Sequence, residues 1–73
     1  MPSRDIPIRG DVIRLGQLLK LAGLVDAGGD VKGFLAAHAV EVNGEPEARR
    51  GRQLHPGDEV RAGEETLRIR SAL

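Results

Sequence analysis

The chain contains no cysteine, tryptophan or tyrosine, one phenylalanine and two histidines. Without cysteine there is no disulfide framework, no thiolate nucleophile and no zinc ribbon, which fits a reducing compartment. Neither His38 nor His55 sits at a spacing that builds a metal site, so no metal and no cofactor is expected. Sheet-based single-strand binders stack bases on exposed aromatics, and with Phe34 alone such a platform is not expected. No run approaches the roughly 20 apolar residues of a membrane span, and Met1-Pro2-Ser3-Arg4-Asp5 lacks a signal-peptide core. A soluble, cytoplasmic protein with no membrane partner is the expectation. An excess of either charge is missing too: 11 basic and 11 acidic residues cancel, so nothing attracts nucleic acid in general. At 73 residues the chain reads as one domain, 1–73, hiding only about 60% of its unfolded surface. That leaves little room for an enclosed active-site cavity, and no small-molecule substrate is expected.

What is present is charge segregation. Residues 48 to 56 hold Arg49, Arg50, Arg52 and His55 without a carboxylate, whereas 58 to 65 hold Asp58, Glu59, Glu64 and Glu65 with only Arg61. Just upstream, Val40-Glu41-Val42 alternates like a half-buried strand, and Asn43-Gly44 supplies the two positive-φ positions of a tight hairpin turn. The arginine segment is thereby presented at the surface and closed at Pro56-Gly57-Asp58, where Asp58 reads as a turn residue bonded to nearby amides. Such a loop suits a polyanion; its bland reading is a solvated loop kept for solubility.

The remaining elements follow from periodicity. Ile6 and Ile8 alternate with polar neighbours in a short strand that Pro7 confines to a sheet edge or bulge. Apolar residues at 15, 18, 19 and 22 mark one face of a first helix ending near Gly23. Gly28-Gly29 breaks the pattern, and Asp30 reads as the N-cap of a second helix over about residues 30 to 38. Strands are then expected at Val40–Asn43, near Gln53–His55, at Glu59–Arg61 and at Thr66–Arg70, with Ala62-Gly63-Glu64-Glu65 as a hairpin tip. The order, β-α-α-β-β-β with the short 53–55 segment set aside, implies an α+β fold, two short helices packed on a small, mostly antiparallel sheet.

Among candidate site residues, Lys32 is telling. A cation in the first turn opposes the helix dipole and is not there to stabilise the helix. Arg14 precedes the first helix and Lys20 lies on its polar side, so both are candidates to share a groove with the 49–52 loop. His38, at the end of the second helix, is favoured there when charged and is available to a phosphate. Gly28-Gly29 lacks the glycine fingerprint and lysine of a phosphate loop, and Asp26 and Asp30 put negative charge where the phosphate would go. Ser3 and Ser71 have no supporting base. No catalytic residues are expected.

The segments Ile13 to Gly23, Gly28 to Lys32, Val40 to Glu45, Arg49 to Leu54 and Pro56-Gly57-Asp58 resemble, in order and spacing, the small stand-alone bacterial subgroup of the S-four-type RNA-binding domain, the αL module named after a ribosomal small-subunit protein. The match covers about residues 13 to 60. The resemblance implies a non-catalytic module docking on structured RNA, ribosomal or transfer RNA, through basic side chains on the helix pair and adjoining loop. Carried over, Arg14, Lys20, Lys32, Arg49, Arg50 and Arg52 become the contacts, with the last three foremost. Two departures stand out. Ala27-Gly28 replaces the Ser-Arg with which many members open the second helix, so Lys32 serves instead; and His38 replaces a helix-ending glycine, which would strain the backbone if φ is positive there. The competing expectation is a protein-interaction module using the acidic 58–65 edge or a sheet edge.

Overall fold

The computed structural model describes residues 3–26 and 28–72. Along these, β1 (Ser3–Ile8) and β2 (Ile13–Arg14) precede α1 (Leu15–Leu21) and α2 (Val31–Ala37). Five strands follow: β3 (Val40–Val42), β4 (Glu45–Pro46), β5 (Gln53–Leu54), β6 (Glu59–Ala62) and β7 (Glu65–Ser71). The expected α+β order is present, with β2 and β4 as additional two-residue strands. The main sheet runs β1-β7-β6-β3-β4 and is antiparallel except for the β1–β7 pair. Pro7 lies in β1 at the sheet's edge, where a missing N–H costs least. The strand at Gln53–Leu54 does not join this sheet; it pairs with β2, Ile13 opposite Leu54 and Arg14 opposite Gln53. That ribbon carries the arginine loop to the start of α1.

Local chemistry sets the boundaries. Asn43 (φ 52°) and Gly44 (φ 85°) form the two-residue loop of the β3–β4 hairpin, with Val42 opposite Glu45. α1 ends in a Schellman arrangement: Gly23 (φ 79°) donates its N–H to the Lys20 carbonyl, and Leu24 donates to that of Leu19. α2 begins at Asp30, whose Oδ1 accepts from the Gly33 N–H at 2.9 Å. Its last cap is His38, at φ −123° and ψ 141°. This is extended backbone that any residue adopts, so the strain expected for a positive φ does not arise.

Helices of seven residues do not hold in water by themselves, and packing supplies what propensity lacks. Leu15, Leu18 and Leu19 of α1 are fully buried with Leu54, and Val31 and Leu35 of α2 join them. The sheet contributes Val40, Val42, Val60, Ala62, Leu67 and Ile69 from one face, with Ile6 and Ile8 at the edge. Each fully buried Leu, Ile or Val side chain contributes about 1.5–3 kcal/mol. The opposite face carries Asp5, Glu59, Arg68 and Arg70, tied by the Arg68–Glu59 and Arg70–Asp5 pairs. Arg4 links the layers, donating to the Ala22 carbonyl at the end of α1 and pairing with Glu65 of β7. No helix among the described residues is long and apolar enough to cross a membrane.

Candidate nucleic-acid interface

An α-helix leaves its first backbone N–H groups without internal partners. In α1 two of them are met by the arginine loop: Leu15 donates to the Arg52 carbonyl and Gly16 to the Arg50 carbonyl, both at 2.9 Å. The loop closes on itself through Arg52 N–H to the Arg49 carbonyl at 3.2 Å. Its backbone is therefore fastened to the helix pair, and the arginine side chains leave from fixed points.

Those side chains divide into two groups. Glu47 follows the β3–β4 hairpin, its N–H still bonded to the Val40 carbonyl, and its carboxylate turns under the loop. It accepts from the backbone N–H groups of Ala48 and Arg49, from Nε and Nη2 of Arg49, and from Nη1 of Arg52 at 2.8 Å. Arg49 and Arg52 are thus paired with an acid of their own chain. Arg50 is not. It lines an open hollow of about 320 Å³ together with Arg14 and Lys20, beside Gly16 and the start of α2. An adjoining hollow of about 240 Å³ is lined by Arg50, Lys32, Leu35 and Ala48. Among the described residues, Arg14, Lys20, Lys32 and Arg50 make no ion pair.

This arrangement reconciles a neutral chain with a cationic groove. Five of the other seven basic residues are spent elsewhere, Arg4, Arg68 and Arg70 on Glu65, Glu59 and Asp5, and Arg49 and Arg52 on Glu47; the remaining two, Arg9 and Arg61, do not line these hollows. Three of the four acids of the 58–65 edge, all but Glu64, are engaged too. Asp58 accepts from the His55 N–H and the Asn43 side chain, and Glu59 and Glu65 hold arginines. Burial pushes the Asp58 carboxyl up, but the His55 and Asn43 hydrogen bonds and the nearby His55 and Arg52 charges outweigh it and hold the group below the usual range. The one acid bordering the larger hollow, Asp30, is engaged as the α2 cap, so an anion is not drawn to that helix start.

The sequence-predicted residues thus separate. Arg14, Lys20 and Arg50 share one hollow and Lys32 meets Arg50 in the next, whereas Arg49 and Arg52 face Glu47. His38 lies further along α2, its ring stacked on that of Phe34 with centroids 4.3 Å apart. An aromatic pair exists after all; its second member is a histidine, and its signal was the i, i+4 spacing on a helix. Glu47 and Gly16 were also missed. The signal for Glu47 was an acid two residues before Arg49 and five before Arg52.

The clamp has a pH signature. Side-chain hydrogen bonds from Arg49 and then Arg52, followed by the Arg49 amide, lower the Glu47 carboxyl from 4.5 to about 2. A folded-state pKa below the unfolded one contributes stability that is complete above about pH 4.5 and lost as pH falls toward 2. Glu47→Gln is expected to be less stable than wild type at neutral pH and to lose less across that acid window. Thermal melts followed by circular dichroism at several pH values check this; parallel wild-type and variant curves would separate the clamp from stability.

Two comparisons complete the picture. A protein of Bacillus subtilis (strain 168) named "Probable ribosome maturation protein RlbA" is 53% identical over 58 residues, 80% of this chain and 82% of that protein. The family model described as S4 domain matches residues 6–70, reaching beyond the 13–60 core into β1 and β7. With helix pair, sheet and fastened loop in place along that span, the chain belongs to the S4 domain family.

Proposed function

We propose that this chain is a non-catalytic RNA-binding module that docks on structured RNA by phosphate contacts along the groove between α1, α2 and the 49–51 loop. The carrying observation is that Arg14, Lys20, Lys32 and Arg50 are the cations left without acid partners along that groove, in a chain whose net charge is zero. A fixed row of unpaired guanidinium and ammonium groups fits a ridge of phosphates and needs no base edge to be read. The name of the Bacillus subtilis relative points to ribosome maturation, and ribosomal RNA is accordingly the preferred partner, with transfer RNA the second. Such a role places the protein in the cytoplasm.

The test is the salt dependence of binding. With four phosphate contacts, log K measured by fluorescence anisotropy on ribosomal RNA fragments should fall against log salt with a slope of roughly −3 to −4. A slope near zero, or partners that survive both nuclease and moderate salt, would instead make this a protein-interaction module.

A further inference from the structure

The groove does not end at Lys32. Past it lies a third hollow, of about 320 Å³, which shares Leu35 and Ala48 with the second and is bordered by His38, Pro46, Glu41 and Glu47. The three hollows form one track: Arg14 and Lys20 at one end, Arg50 and Lys32 in the middle, His38 at the other. Its chemistry changes along the way. The first two parts offer unpaired cations. The last offers an exposed imidazole stacked on the Phe34 ring at an interplanar angle of 29° and the apolar surface of Leu35, Pro46 and Ala48, while the Glu47 carboxylate, which also belongs to its lining, is taken up by Arg49 and Arg52.

We infer that this last hollow receives an unpaired nucleobase of the same RNA whose phosphates the cations hold. The inference rests on the RNA-binding reading above and sharpens it, from structured RNA in general to a bulged or junction nucleotide. Among the described residues no lysine or arginine lines this hollow, so a phosphate finds less to hold it there than along the first two parts of the track. A recess with apolar lining beside an exposed imidazole suits the face of a base, and histidine is among the side chains on which splayed-out bases stack. Within a duplex no base is available to enter, so the hollow distinguishes an interrupted helix from a continuous one, which phosphate contacts alone do not. Because the imidazole is already stacked on the Phe34 ring, less of its motion has to be frozen when a base binds.

The experiment compares two hairpin RNAs, one fully paired and one carrying a single bulged 2-aminopurine. Wild type is expected to bind the bulged hairpin at least roughly fivefold more tightly, in line with stacking on one side chain, and to change the 2-aminopurine fluorescence. His38→Ala should erase both the preference and the fluorescence change, and His38→Phe, which restores a ring, should retain them. If His38→Ala keeps the wild-type preference and signal, or if wild type binds both hairpins equally, the base site is overturned while the phosphate track stands. If Arg50→Glu binds both hairpins as well as wild type does, the phosphate track is displaced and the base site at its end falls with it; if wild type binds neither hairpin, the RNA reading itself falls.

Discussion

Arg50→Glu is expected to weaken binding to structured RNA by roughly 10- to 100-fold, the loss of one charge-assisted hydrogen bond with repulsion added. No other single reversal in the loop should act so cleanly, because of what each arginine already does. The Arg50 side chain is exposed, borders both cationic hollows and has no acid partner among the described residues, and only its backbone carbonyl takes part in the fold. Its replacement therefore removes a phosphate contact at the centre of the track and leaves the loop fastened. The far-ultraviolet circular dichroism and melting temperature should stay at wild-type values, and the salt slope should fall by about one unit or more.

Arg49→Ala, in contrast, is expected to cost only a few-fold, since two of its guanidinium nitrogens already bond Glu47 and an RNA phosphate would have to compete with that carboxylate. Anisotropy titrations of the two variants side by side decide the matter. An Arg50→Glu protein that binds like wild type, beside an Arg49→Ala protein that does not, would move the contact surface to the Glu47 side of the loop.

That ordering within one short loop shows where sequence reading succeeds and where it stops. Features encoded within four residues were legible: the Asn43-Gly44 turn and the helix end at Gly23 depend on residues that accept a positive φ, and the Asp30 cap and the Asp58 turn on carboxylates that bond amides three residues away. Pro7 likewise marked an edge strand, though not that this edge pairs in parallel with the far end of the chain, because such pairing carries no local signature. The cations were legible as a set. Their division was not, since it depends on which way a carboxylate turns after a hairpin. Glu47 read as a flanking acid and is the hub of the loop, and the arginine that looked equal to its neighbours is the one left free. His38 shows the opposite error. Its extended backbone carries none of the strain that a positive φ would bring, and the ring pair it forms with Phe34 leaves no trace in a content of one phenylalanine and no tyrosine or tryptophan.

The second large effect is expected at Gly16, the residue on which loop and helices meet. A Cβ built there would lie 3.3 Å from Cγ1 of Val31, 3.5 Å from the Arg50 carbonyl oxygen and 3.6 Å from the Arg50 Cβ. One methyl group is near the limit of what this junction accepts. Gly16→Ala requires Val31 to give by a few tenths of an ångström, but the helix gains about 1 kcal/mol from losing a glycine, so its stability should stay within about 1 kcal/mol of wild type. Gly16→Val has no such balance. Its branched Cβ drives two further carbons toward the Val31 side chain and the Arg50 backbone, overpacking that costs about 1–3 kcal/mol and, in a domain of this size, lowers the melting temperature by roughly 4 to 20 °C. The same displacement breaks the Gly16-to-Arg50 hydrogen bond that aims the loop, so RNA affinity should fall together with stability although no charge has changed. Measured well below the melting temperature, Gly16→Ala should bind like wild type and Gly16→Val should not. If Gly16→Val kept both its melting temperature and its affinity, the close approach of loop and helix would not be what positions Arg50.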